Sequence, residues 1–189
     1  MGTFKNLIFK KVKTDTAFFI ELSNYGRGKI MIKTFEHCDI NFIKNLGRAI
    51  GQCADTTLFI AMTGDLGAGK TTLTKYIAEG LEISDTVTSP TFVIAEEYTG
   101  RLKLYHFDAY RVRNEQEMTD IGFDEYLGKQ GVIVVEWADM ILNLLPPDRI
   151  DMQILYENSN ERRIIIMANG KTEDTLKQIC EKLKGDKNE

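Results

Sequence analysis

A chain of 189 residues, 43% apolar and 28% charged, has the size and make-up of one globular domain with a sizeable core. No apolar run approaches the ~20 residues of a membrane-spanning helix. Three scattered cysteines (Cys38, Cys53, Cys180) and two distant histidines (His37, His106) argue against a disulfide framework or a zinc site and fit a reducing, cytoplasmic setting.

Charge is unevenly spread. Residues 1–30 carry six Lys/Arg against two Asp/Glu, a balance of +4, whereas residues 31–189 carry 18 against 26, a balance of −8. The acidic main body is a poor binder of phosphate backbones, so any RNA is expected to arrive through a partner. Within the basic segment, Leu7-Ile8-Phe9 is too short for a secretory core and no small-residue cleavage site follows. Asn6 stands where a myristoylation signal wants Ser or Thr. The expected division is an N-terminal extension over 1–30, with a natural start at Met31 as the other reading, and one main domain over 31–189.

From Lys29 the pattern becomes regular. Ile30, Ile32 and Phe35 predict a short strand, and Asp39 or Asn41 caps a helix with Ile43, Leu46 and Ile50 on its apolar face. Thr57–Thr63 is a nearly continuous apolar strand, of the kind buried on both faces of a parallel sheet. A glycine loop follows at once, and then Leu73, Tyr76, Ile77 and Leu81 share one helical face. Extended runs over Thr91–Tyr98 and Leu102–Phe107, joined by Thr99-Gly100-Arg101, predict a hairpin. A polar helical stretch from about Asn114 to Gly128 is interrupted near Gly122, and Gly131–Glu136 is a second buried strand ending in an acid. After Pro146-Pro147, alternation over Ile150–Tyr156 and a turn at Asn158-Ser159-Asn160 lead to Arg163–Ala168, a second hairpin. A last helix presents Leu176, Ile179, Cys180 and Leu183. The fold class expected is a single α/β domain of the P-loop NTPase kind, a mixed β-sheet with helices on both faces.

The run Gly64-Asp65-Leu66-Gly67-Ala68-Gly69-Lys70-Thr71 matches G-x-x-x-x-G-K-[ST] between a strand and a helix. Gly67 and Gly69 let the backbone curl until successive N–H groups point at phosphate oxygens, and the helix dipole adds to that field. Lys70 is expected to reach the β- and γ-phosphates, and the Thr71 hydroxyl to ligate Mg²⁺. Thr72 either touches an α-phosphate or only begins the helix. Across the site, Glu136 ends an apolar strand where a metal-side carboxylate belongs, since ligands of open α/β sheets bind at the carboxyl ends of strands. Asp108, at the end of Leu102–Phe107, is the other candidate acid, for the outer coordination of Mg²⁺ or for orienting the attacking water, against a plain turn aspartate. His106 reads more simply as a packed histidine than as a general base. Trp137 either packs or covers the site or meets a partner. Thr88-Ser89-Pro90-Thr91 lies where P-loop proteins carry a nucleotide-sensing switch, or is an ordinary loop.

These pieces, with Ser89-Pro90-Thr91-Phe92, Tyr105-His106-Phe107-Asp108-Ala109-Tyr110-Arg111, Gly122-Phe123-Asp124-Glu125-Tyr126 and Val135-Glu136-Trp137, resemble one family in order and spacing from about Lys33 to Lys184. That family is TsaE, the small ATPase of bacterial tRNA threonylcarbamoyladenosine synthesis. Ala109 stands where the family usually has Leu, a change that touches no catalytic group, and segment 1–30 has no counterpart. The resemblance implies ATP and Mg²⁺ at the glycine loop, with Lys70 and Thr71 in their usual roles, Glu136 on the metal side and Asp108 in the nucleotide-responsive region. It implies action with TsaB and TsaD, whose TsaD subunit transfers threonylcarbamoyl to adenosine 37 of ANN-reading tRNAs. The TsaE protein itself is not the transferase; its weak, partner-activated ATP hydrolysis is thought to reset the complex. Two rivals use the same residues. A small-molecule kinase would recruit Arg111 and Arg113 as lid cations, but stretch 114–128 is acidic and adds no arginine. A non-hydrolysing nucleotide-binding module would only assemble a complex.

Overall fold

The computed structural model of the chain describes residues 11–14, 17–22, 30–90 and 95–185. The expectations placed on residues 1–10 and on Thr91 and the start of its strand lie outside the described residues. In chain order the described elements begin with strands β1 (Lys11–Thr14), β2 (Ala17–Leu22) and β3 (Ile30–Cys38), then helix α1 (Ile40–Cys53) and strand β4 (Leu58–Thr63). Helix α2 (Lys70–Gly80) is followed by β5 (Ala95–Tyr98), β6 (Leu104–Asp108), and the short helices α3 (Glu115–Asp120) and α4 (Phe123–Tyr126). Strand β7 (Val132–Glu136), a 3-10 helix (Ala138–Leu144), β8 (Ile150–Tyr156), β9 (Arg162–Asn169) and α5 (Thr172–Gly185) complete the set.

The strands form one sheet in the order β1-β2-β3-β9-β8-β4-β7-β6-β5. Its centre, β8-β4-β7-β6, is parallel, and the flanking pairs are antiparallel. Parallel strands covered on both faces must be apolar throughout, and Val132-Ile133-Val134-Val135 on β7 and Leu58–Met62 on β4 are all buried. Where β8 and β9 run antiparallel the burial alternates instead, with Ile150, Met152 and Ile154 buried and Asp151 and Gln153 not. Of the two strands within 11–22, β2 pairs with β3 and β1 with β2; the sequence pattern assigned no element there.

Helices α1, α2 and α5 cover one face over an aliphatic core that includes Leu46, Ile60, Leu73, Val134, Ile164 and Leu176. Asp39 caps α1 by accepting from the Phe42 amide at 2.8 Å, satisfying one of the orphan donors of its first turn. On α1, Gly51 abuts α2 so closely that a Cβ there would run into the Ile77 carbonyl and the Gly80 backbone. The opposite face is closed by α3, α4 and the 3-10 helix over Phe59, Phe107, Met118, Phe123 and Ile133. The expected interruption of the polar helical stretch is real: Gly122 separates α3 from α4 at φ 77°. The 3-10 helix was not foreseen, because seven residues with a bend at Ile141 show no 3.6-residue period. Among the described residues no helix is long and apolar enough to cross a membrane.

Candidate functional site

Three adjacent parallel strands end at one place. Thr63 ends β4 and opens the glycine loop, Asp108 ends β6, and Glu136 ends β7, with Asp108 and Glu136 directly opposite in register. A cavity of about 260 Å³ lies there, lined by Gly67, Gly69, Lys70, Thr71 and Thr72 on one side and Ser89, Asp108, Tyr110, Glu136 and Trp137 on the other. Gly67 and Gly69 take φ of 77° and 113°, left-handed values that other residues adopt only with strain, and a Cβ on Gly69 would meet only open space. The curl that the phosphate-cradle reading requires is present.

Lys70 is not the exposed loop lysine its position suggests. It is 4% exposed, and its Nζ donates to the Gly64 carbonyl at 2.7 Å and the Asp65 carbonyl at 3.0 Å. The ammonium also lies 3.9 Å over the Trp137 ring, a cation–π contact. Burial pushes its pKa below the ordinary value, and the charges of Glu136 and Asp108 push it back up. The loop itself is braced from behind. Tyr156 donates its hydroxyl to the Leu66 carbonyl at 3.1 Å, Arg162 Nε donates to the Ala68 carbonyl at 2.9 Å, and the guanidinium rests on the Tyr156 ring.

Two carboxylates side by side in a buried place need hydrogen-bond donors in place of the water they have lost. Each has them. Glu136 accepts the Thr71 hydroxyl at 3.0 Å on Oε2 and faces His106 Nε2 at 2.8 Å on Oε1. Asp108 accepts the Ser89 hydroxyl at 2.7 Å and the Tyr110 amide at 2.9 Å. Trp137, immediately after β7, sits at φ 57°, a left-handed conformation costing a bulky residue about 1–3 kcal/mol. That conformation lets its ring lie against Tyr110, centroids 4.9 Å apart, and form the wall opposite the glycine loop.

Most of the residues singled out from sequence therefore converge, and a few do not. Asp65 and Ala68 contribute backbone carbonyls to the loop while their side chains stay off the cavity lining. Leu66 stands at the mouth, 73% exposed. Thr72 both belongs to the first turn of α2 and lines the cavity. Thr88 turns away, its hydroxyl donating to Glu96 at 3.3 Å and its amide to the Tyr98 hydroxyl at 3.2 Å; Pro90 is buried, and only Ser89 of the Thr88–Pro90 run touches the site. Arg111 and Arg113 are exposed and not among the lining residues. Sequence reasoning overlooked Tyr156 and Arg162, which lie 90 and 94 positions from their partners, and left Tyr110 without a role. Nothing local marks the first two.

A buried parallel strand, a G-x-x-x-x-G-K-T loop and a helix, faced by two acids from neighbouring strands, make this a P-loop-type α/β protein. The family model described as threonylcarbamoyl adenosine biosynthesis protein TsaE matches residues 38–164. The tRNA threonylcarbamoyladenosine biosynthesis protein TsaE of Bacillus subtilis (strain 168) is 47% identical over 125 residues, 66% of this chain and 76% of that protein. That of Streptomyces coelicolor is 40% identical over 116 residues, 59% of this chain and 78% of that protein. The crystal structure of Bacillus subtilis YdiB superposes with a TM-score of 0.68 at 34% identity, covering 87% of this chain and 99% of that one. The chain belongs to the TsaE family.

Proposed function

We propose that the chain binds ATP with Mg²⁺ in this cavity, hydrolyses it slowly alone, and through that turnover resets a TsaB–TsaD complex between cycles of threonylcarbamoylation at adenosine 37 of ANN-reading tRNAs. It serves the transferase without being one, and it works in the cytoplasm. Membership of a family named for threonylcarbamoyl adenosine biosynthesis supports the pathway.

The observation that carries the ATPase reading is the Thr71 hydroxyl within 3.0 Å of Glu136, beside the glycine loop and Lys70. A hydroxyl and carboxylate oxygens are hard donors of the kind Mg²⁺ prefers, and few protein ligands suit an ion that keeps phosphate and water in its shell. Once bound, Mg²⁺ would neutralise charge on the β- and γ-phosphate oxygens. Lys70 binds phosphate by exchanging its Gly64 or Asp65 carbonyl for a phosphate oxygen. Asp108, aimed by Ser89 and Tyr110, holds the attacking water and accepts its hydrogen bond. Trp137 and Tyr110 shield that water from bulk solvent.

Of the described residues lining the cavity, only Lys70 is cationic. That disfavours a phosphoryl-transferring kinase, which needs further cations around the migrating group. It also supports slow turnover until a partner completes the site. Phosphate release should be measured for the chain alone, with TsaB–TsaD, and with tRNA added. Release should be slow alone, rise with the pair, and vanish with Lys70→Ala at a retained cooperative melt. ATP binding without release in any arm would leave a non-hydrolysing assembly module. The net charge of −8 over residues 31–189 supports tRNA delivery by the partners, so filter binding should find no appreciable tRNA affinity in a Met31-start form at physiological salt.

A further inference from the structure

His106 lies mid-strand on β6, completely buried, on the face shared with Leu104. Its Nε2 is 2.8 Å from Glu136 Oε1, while the other carboxylate oxygen accepts from Thr71 at 3.0 Å. Its Nδ1 is buried and meets no hydrogen-bond partner among the described residues. An ionised carboxylate can only accept, so the proton between the two groups belongs to Nε2.

We infer that His106 is a positioning residue for Glu136: it donates from Nε2–H to Oε1, pins that oxygen and thereby turns Oε2 toward Thr71 and the metal side of the cavity. The inference rests on the ATP–Mg²⁺ reading above. Partners that orient a metal-side ligand in this way are commonly worth 10- to 100-fold in metal affinity. His106 has no part in moving a proton to or from substrate, since its one free nitrogen points into the core.

Calorimetry of ATP binding, with Mg²⁺ and with EDTA, tests the positioning role in three variants. His106→Leu should bind ATP in EDTA as the wild type does but lose about tenfold of the tightening that Mg²⁺ confers. His106→Gln, whose amide nitrogen falls near Nε2, should regain most of it, and His106→Asn, whose amide falls near Nδ1, should not. Wild-type tightening kept in full by His106→Leu would overturn the proposal while leaving the ATPase reading intact, as would equal behaviour of Gln and Asn. A wild type with no ATP binding would overturn both. A second measurement needs no variant of His106 to fold. The chain has two histidines, so long-range proton–nitrogen correlation spectra, with His37→Gln for assignment, report the tautomer of each. Nε2–H at His106 at neutral pH is expected; the Nδ1–H form would overturn the proposal, because that form cannot donate to Glu136.

Discussion

One face of the sheet carries helices of 14, 11 and 14 residues over aliphatic side chains, while the other carries helices of 6 and 4 residues and a seven-residue 3-10 turn over aromatic ones. Short helices bury little each, and rings make up the difference. Phe107 meets Phe123 and Tyr126 edge-on at centroid distances of 5.1 and 5.0 Å, geometry worth about 0.5–1.5 kcal/mol per pair beyond the area buried. The site draws on both layers. Its glycine loop and Lys70 open α2 in the thick layer, where Gly51 locks α1 to α2 backbone to backbone. Tyr110 and Trp137 belong to connections that pack on the thin layer. A glycine loop anchored in the long helices thus faces a wall held by few residues.

The largest expected effect breaks the thin layer. Phe123→Ala removes the ring that bridges Phe107 and Phe59 and should cost about 3–5 kcal/mol in urea unfolding. Hydrogen exchange should then show residues 115–127 opening by themselves while α1 and α2 keep their protection. Equal loss of protection in both layers would mean that the faces unfold as one unit and that the contrast has no dynamic content.

The next effect falls between the layers, on the acids. Glu136→Gln and Asp108→Asn keep shape and remove one charge each. ATP should still bind, at equal or greater affinity in Asp108→Asn and with less of the Mg²⁺-conferred tightening in Glu136→Gln, while phosphate release falls about 100-fold in both, equivalent to about 2.7 kcal/mol in the barrier. Unchanged release in Asp108→Asn would reduce that residue to a cap on the Ser89 and Tyr110 turns.

Gly51→Ala sharpens the thick-layer half. The added methyl must push α2 away, at a cost of about 1–3 kcal/mol for an overpacked contact, and ATP affinity should weaken although Gly51 lies outside the cavity. Full affinity in a destabilised variant would show that the cradle does not depend on the spacing of α1 and α2.

The smallest effect lies at the end of β3, beside the turn between β8 and β9. His37 hydrogen-bonds Glu161 at 3.2 Å with Glu157 close by, and that bond, followed by the charges of Glu157 and Glu161, raises the imidazole pKa above its ordinary value. A raised folded-state pKa means stability that is complete below the unfolded value of about 6.5 and fades as pH rises through the folded one. The melting temperature of the wild type should exceed that of His37→Gln by a small margin at acidic pH, and the margin should shrink on going to mildly alkaline buffer. A margin independent of pH would show that the exposed pair contributes nothing.

Local chemistry was legible in the sequence wherever neighbours along the chain decide the outcome. The Asp39 cap, the apolar strand Val132–Val135, the break at Gly122 and the glycine loop each depend on residues within a few positions, and periodicity or a turn requirement exposes them. So did the placement of Asp108 and Glu136 at strand ends, because an apolar run closing on an acid marks its own carboxyl end. Tertiary structure alone decided which strands lie side by side, and hence that Glu136 meets Thr71 from 65 positions away and His106 from 30. It alone decided that Lys70 is buried against Trp137, that Thr88 turns from the cavity while Ser89 enters it, and that Tyr156 and Arg162 brace the glycine loop. The physical reason is that alternation says which face of a strand is buried but not which strand comes next to it. The order β8-β4-β7-β6 comes from packing the whole sheet between its two helical layers.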